Sequence, residues 1–314
     1  MSSSPTPADP SLPAHHEVPR WQLIGGFLII YVVWGSTYLA IKWAVDTIPP
    51  FSLGAMRFLV AGGSLYAWAR WRGAEKPTLE NWRASAVVGV LLLFIANGGV
   101  SWASRRVSSG IASVLVATVP LWLVISEAYM GKKPQLAQLL GVVIGLVGVA
   151  LLVIPAHAAN GATTSAVDTL GAMVLVMGSL SWTVGSLYSR TAPQAKSAAL
   201  AIAMQMLVGG SCLTLLAAVT GDWQRLFAGD VSTQSWMSLG YLITFGSLIG
   251  FSTYMWLLTV ASPAAVGTYA YVNPLVAVLL GVWLGGERLP STAFVAMGII
   301  VGGVAMVNVF ARRR

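Results

Sequence analysis

The stretch Met56-Arg57-Phe58-Leu59-Val60-Ala61-Gly62 returns later in the chain as Met204-Gln205-Met206-Leu207-Val208-Gly209-Gly210. Met56, Leu59, Val60 and Gly62 meet Met204, Leu207, Val208 and Gly210 at one fixed separation, which also carries Trp34 to Trp182 and Lys42 to Arg190. Further along, a slightly larger separation carries Trp102 to Trp256, Ser108 to Ser262 and Pro120 to Pro274. One residue more carries Gly131 to Gly286, Gly148 to Gly303 and Val149 to Val304. Loop insertions produce such a drift, so the chain reads as two copies of one unit.

Composition says where the copies lie. Of 314 residues, 56% are hydrophobic and 9% charged, and the mean hydropathy is +0.76. A soluble domain carries about 25% charged residues, so an ordinary cytosolic enzyme and a disordered protein are both excluded. Ten apolar segments follow one another at 22–41, 51–69, 84–103, 109–130, 136–154, 170–189, 198–219, 235–258, 265–284 and 291–311. Each suits a membrane crossing of roughly 20 residues. The expectation is an all-α membrane protein of ten transmembrane helices. Five per copy is an odd number, so the second copy enters from the opposite side. Two inverted five-helix repeats are the architecture of alternating-access carriers, with the site near the midplane between the halves. Repeat 1 spans 22–154 and repeat 2 spans 170–311, with a small, polar linker at 155–169. Residues 1–20, polar and rich in proline and serine, read as a disordered cytoplasmic tail. The apolar run after Arg20 is long enough to span, and no small-residue cleavage site follows it, so a cleavable signal is not expected.

The formal charge is +8 and the pI 9.9. The basic residues lie between and beyond the apolar runs rather than in one patch, which reads as membrane topology and not as nucleic-acid contact. With the N-terminus cytoplasmic, the inner side holds Arg20, Arg70, Arg72, Lys76, Arg83, Lys132, Lys133, Arg190, Lys196 and Arg312 to Arg314. The outer side holds only Lys42, Arg105, Arg106, Arg225 and Arg288. That excess places both termini inside. Arg105-Arg106 departs from it locally.

Other chemistries lack their residues. Cys212 is the single cysteine, and His15, His16 and His157 all lie outside the apolar runs. There is no H-E-x-x-H, no Cys/His cluster and no phosphate-binding loop, so no metal, no cofactor and no ATP hydrolysis is expected. A membrane-embedded enzyme would need a nucleophile–base pair in the spans, which hold no histidine.

Several stretches resemble the EamA family of the drug/metabolite transporter superfamily. They are Trp34-Gly35-Ser36-Thr37-Tyr38, Arg57-Phe58-Leu59, Ser109-Gly110-Ile111-Ala112 and Ala117-Thr118-Val119-Pro120-Leu121 in the first copy. In the second they are Ser181-Trp182 with Gly185-Ser186, Tyr269-Ala270-Tyr271-Val272-Asn273-Pro274 and Leu284-Gly285-Gly286-Glu287. The resemblance covers about residues 22–311. It implies a bacterial inner-membrane exporter of small metabolites or drugs, amino acids among them, with a central cavity lined mainly by helices 1, 3, 4, 6, 8 and 9; a passive, channel-like permease is the alternative. A small-molecule substrate and the lipid bilayer are the expected partners. Oligomeric state is not set by the sequence, and a monomer is plausible.

The candidate cavity residues are Trp34, Tyr38, Asn97, Trp102, Thr118, Pro120, Trp182, Trp256, Tyr271, Asn273 and Pro274. Pro120 and Pro274 each free a backbone carbonyl at membrane depth, which must face protein or a wet cavity. Asn97 and Asn273 are in-span amides, as apt to join helices as to touch a ligand. The aromatics suit amphipathic, flat or cationic substrates, and helix packing explains each singly. Three in-span polar residues stand apart: Arg57, its repeat partner Gln205, and Glu127. Arg57 reads either as functional or as structural, hydrogen-bonded to helix ends or snorkelling outward. Glu127 lies about a turn from Lys132 and Lys133 and reads first as their ion-pair partner, second as a proton carrier. The spacings Gly141/Gly145 and Gly298/Gly302 predict close helix packing.

Overall fold

The computed structural model describes residues 18–131, 133–153, 168–261, 263–266, 268–289 and 291–311. Most of the expected N-terminal tail and of the 155–169 linker, together with Lys132 and Arg312 to Arg314, lie outside the described residues. Within them the fold is all-helical. The elements are α1 (Arg20–Ala44), α2 (Pro50–Trp71), α3 (Leu79–Ala103), α4 (Ser109–Tyr129), α5 (Leu136–Val153), α6 (Thr169–Ser189), α7 (Ala198–Val219), α8 (Asp222–Ala228), α9 (233–260), α10 (Pro263–Val266), α11 (Tyr269–Trp283) and α12 (Ser291–Ala311). Helices α1, α3, α4, α6 and α7 are long and apolar enough to cross a membrane, and shorter apolar helices accompany them.

Local chemistry sets the boundaries. α3 starts at Leu79, ahead of its apolar run. Thr78 and Asn81 close a reciprocal capping box there, so the polar turn Glu80 to Arg83 is helical as well. α8, which the hydropathy pattern does not announce, follows Gly221 at φ +74°, a left-handed turn suited to glycine. α4 is interrupted at Ala117-Thr118. Pro120 therefore sits in the first turn of the restarted helix, where a missing N–H costs no helical bond. Pro274 instead lies inside α11. The two matched prolines thus do different work: Pro120 follows a helix break, and Pro274 lies inside a continuous helix.

Two further irregularities are matched between the copies. α3 widens to a π-helix over Val90–Asn97 and α9 over Leu242–Ile249. Side chains meet carbonyls of the first: Ser181 Oγ donates to Leu91 O at 2.8 Å and Asn97 Nδ2 to Leu92 O at 2.9 Å. Left-handed glycines also recur at matched positions, Gly131 at φ +87° and Gly286 at φ +61°.

Packing follows the repeat. α2 lies along its counterpart α7, and α5 along its counterpart α12. α1 packs on α9 and α11, as α6 packs on α3 and α4. The α2–α7 contact is close because glycines face it from both copies. A Cβ on Gly62 would lie 2.8 Å from Met206 Cβ, and one on Gly210 would lie 3.0 Å from Leu59 N. In the α5–α12 pair, a Cβ on Gly303 would lie 2.6 Å from Gly145 N and 2.7 Å from Gly141 O. Gly298 and Gly302 face open space instead, so the packing glycine of α12 is Gly303 and that part of the expectation fails.

The outer surface of the bundle is apolar, with Leu28, Val32, Val147, Met177 and Leu279 exposed. Trp21, Trp71, Trp236 and Trp283 are exposed at helix ends. Together these make a lipid-facing barrel with aromatic residues at its rims.

Candidate functional site

The helices from both copies surround a cavity holding about 860 Å³ of atom-free space, its open mouth included. α1 contributes Trp34, Thr37, Tyr38 and Ile41, and α2 contributes Arg57. α3 adds Ala96, Asn97 and Val100, and α4 adds Ser113, Val116, Ala117 and Val119. From the second copy come Gly178, Ser179 and Trp182 of α6, Phe251 of α9, and Tyr269, Ala270, Asn273 and Pro274 of α11.

One wall is aromatic. Trp34 is the hub, its ring centroid 5.4 Å from Phe251, 5.0 Å from Tyr254 and 5.2 Å from Tyr269, which meets it edge-on. Gly250 makes room for the indole, since a Cβ there would lie 2.5 Å from Trp34 Nε1. Gly35, next to Trp34, brings α1 against α11, where a Cβ would lie 2.6 Å from Val276 Cβ. With its amide nitrogen turned toward them, Asn273 donates to Tyr269 O at 3.2 Å and Tyr31 O at 3.3 Å. That amide ties α1 to α11.

A hydroxyl cluster lies opposite. Thr118, in the break of α4, bonds Ser179 Oγ at 2.9 Å, and Trp122 Nε1 donates to the same oxygen at 2.9 Å. Thr183 Oγ1 donates to Val119 O at 3.3 Å. The helix break is thus satisfied by α6, as irregular backbone at membrane depth requires.

Arg57 is the only charged residue of the lining and is 5% exposed. Its Nε donates to Ser247 Oγ at 2.9 Å, from the π segment of α9, and its guanidinium lies 5.0 Å over the Phe58 ring.

The structure therefore brings Trp34, Tyr38, Asn97, Trp182, Asn273, Pro274 and Arg57 to one cavity. It does not bring the other candidates there. Thr118 is buried in the α4–α6 contact, and Pro120 is buried outside the lining. Trp102 lies under the Arg106 guanidinium at 4.4 Å, and Trp256 packs with Ile30 and Leu257 against Gly26. Tyr271 lies in α11, but its side chain is outside the description. Gln205 donates to Gln194 at 3.4 Å, away from the cavity. Glu127 stands 3.9 Å from Arg190, which joins the end of α4 to the end of α6; Lys132, one of its two expected partners, lies outside the described residues.

Thr37, Ser113, Ser179 and Phe251 were not among the candidates. A usable signal was present for two of them: Thr37 stands three residues from Trp34 and Ser179 three from Trp182, on the same helix face as each tryptophan. Ser113 and Phe251 carry no such mark.

An apolar-surfaced bundle of paired helical copies around a shared central cavity defines a multi-pass membrane transporter. The EamA-like transporter family matches this chain twice, over residues 22–154 and 169–309, so the chain belongs to that family. It is 38% identical over 289 residues to the uncharacterized inner membrane transporter YedA of Escherichia coli (strain K12), covering 91% of this chain and 90% of that protein. It is 28% identical over 293 residues to a probable terminal-alkyne amino-acid exporter of Streptantibioticus cattleyicolor, covering 92% of both. A solved crystal structure at 23% identity superposes with a TM-score of 0.62 over 94% of this chain and 99% of the other, a likeness of fold.

Proposed function

We propose that this protein is a secondary transporter that exports small organic molecules across a bacterial inner membrane by alternating access. In this reading ten helices cross the bilayer: α1 to α7, the 233–260 helix α9, α10 with α11 as one broken span, and α12. The two five-helix copies are inverted, and both termini are cytoplasmic. The observation that carries it is the central cavity, which takes lining residues from both copies. The paired packing of counterparts and the matched π segments support a pseudo-two-fold arrangement, which is what lets one bundle present two exchangeable states. The relative named as an amino-acid exporter adds amino acids to the substrate classes worth testing.

The rival within transport is a passive, channel-like facilitator. Counterflow separates them. The purified protein in liposomes preloaded with unlabelled substrate should take up labelled substrate transiently above equilibrium. Uptake that never saturates and shows no counterflow would make it a channel.

A further inference from the structure

We propose that the cavity takes a small organic anion, a carboxylate or sulfonate on a flat apolar or aromatic body, with Arg57 as its anchor. This rests on the transporter reading and names the substrate class of that same site. Among the described residues Arg57 makes no ion pair, and its one side-chain hydrogen bond to protein is Nε to Ser247. The rest of its five N–H donors are left without a protein acceptor. None of the lining residues is Asp, Glu or His, so the cavity carries one uncompensated positive charge. A cation held away from bulk water with only a hydroxyl and the Phe58 ring as partners is costly, and an oxyanion that accepts two parallel N–H bonds is its natural complement. Organic cations meet repulsion there. The ammonium of a zwitterion meets no carboxylate.

The apolar part has a place beside the anchor. Arg57 and Trp34 border the same stretch of α9: a Cβ on Gly246 would lie 3.3 Å from Arg57 Nη2, and one on Gly250 would lie 2.5 Å from Trp34 Nε1. Both side chains line the cavity, one suited to the acidic group and one to the flat body.

Direction follows from charge. An anion moving alone across an inside-negative membrane is driven outward, by about 50-fold in concentration ratio per 100 mV. Export then needs no coupling ion and no proton-carrying side chain in the cavity.

The test uses the full chain in liposomes and four probes of similar size: benzenesulfonate, which is permanently ionised, benzenesulfonamide, L-phenylalanine and benzyltrimethylammonium. With a lumen-positive potential of 100 mV clamped by potassium and valinomycin, benzenesulfonate should accumulate toward about 50-fold. Benzenesulfonamide should compete at least tenfold more weakly. Arg57→Gln should abolish accumulation, and Arg57→Lys should keep part of it. If the Arg57 variants do not fold, the sulfonate-to-sulfonamide ratio on the unaltered protein decides. Counterflow of phenylalanine or benzyltrimethylammonium without benzenesulfonate would overturn the anion assignment and leave the transporter reading standing. Equal competition by sulfonate and sulfonamide would overturn it too. No counterflow by any probe would overturn both.

Discussion

Glu287 joins the end of α11 to the start of α4, and removing its charge should loosen the end of the bundle proposed to face outward. Leu284-Gly285-Gly286-Glu287 ends α11 in a turn that needs the left-handed backbone of Gly286 at φ +61°. That turn delivers the Glu287 carboxylate to the N-terminus of α4. Oε1 accepts from Ser109 N at 2.7 Å and Oε2 from Gly110 N at 3.4 Å. The same end is joined elsewhere by Asp222, which accepts from Phe51 N at 2.9 Å, and by Ser235, which donates to Trp43 O at 2.8 Å. A charged hydrogen bond to a helix N-terminus contributes about 1–2 kcal/mol where partly exposed. Glu287→Gln keeps an acceptor and loses the charge, about 1 kcal/mol, or roughly a fivefold gain in the open fraction. Glu287→Ala loses the whole contact, about 2 kcal/mol, or roughly 30-fold. The assay is labelling of Ser113→Cys, a cavity position, by an impermeant thiol reagent from outside, with Cys212→Ser removing the native thiol. The labelling rate should rise in that order. Unchanged labelling in Glu287→Ala, with the protein still folded, would refute the closure argument.

Four further outcomes follow from particular contacts. Gly62→Ala places a Cβ 2.8 Å from Met206 Cβ, between two backbones, and should lower the detergent melting temperature through overpacking of about 1–3 kcal/mol. Gly63→Ala, with nothing within 4 Å, should be neutral or slightly stabilising, and equal losses from both would refute the packing. Gly250→Ala displaces the Trp34 indole and should lower transport several-fold while elution on size exclusion is unchanged. Glu127→Gln removes a partly exposed pair with Arg190 worth about 0–1 kcal/mol and should keep most activity at neutral pH; proton-driven accumulation that collapses in this variant would assign coupling to Glu127. An alkaline-phosphatase fusion at Arg314 should be inactive, and high activity would invert the proposed topology.

The apolar segments were legible because length and hydropathy alone mark a span. The repeat was legible because glycines at close contacts and aromatic hubs tolerate little change, as Gly62 with Gly210 and Trp34 with Trp182 illustrate. The π segments were not. Val90 to Asn97 is a run of apolar residues closed by one amide, and no proline or glycine marks where its hydrogen bonds shift by one residue. The break in α4 was not legible either: Pro120 marked a freed carbonyl, and the interruption falls at Ala117-Thr118, where Thr118 can reach Ser179 across the helix pair. Arg57 was visible as a costly charge. Its setting was not visible, because Ser247, Gly246 and Gly250 come from a helix 190 residues away in sequence and look like ordinary small packing residues.

The basic residues expected outside also find their reason in the fold. Lys42 Nζ donates to Ser104 O at 2.8 Å, Arg105 Nε to Val45 O at 2.8 Å, and Arg225 Nη2 to Thr220 O at 2.7 Å. Each reaches carbonyls at the C-terminal end of α1, α3 or α7, where the helix leaves acceptors unsatisfied and its dipole is negative. Arg106 faces Asp168 at 3.3 Å. Burial draws the pKa of Arg105 below the ordinary arginine value, with Asp222 opposing the shift, as befits a cap rather than a free surface charge. A helix bundle whose neighbours run antiparallel has such ends on both faces, so each face requires some cations whatever its orientation. Cations on the other side are engaged as well: Arg70 donates to Ala74 O at the end of α2, Arg190 faces Glu127 at 3.9 Å and Lys196 faces Glu75 at 3.0 Å. Arg105 caps α1 and Arg106 pairs with Asp168, so both have a structural role whichever face they lie on.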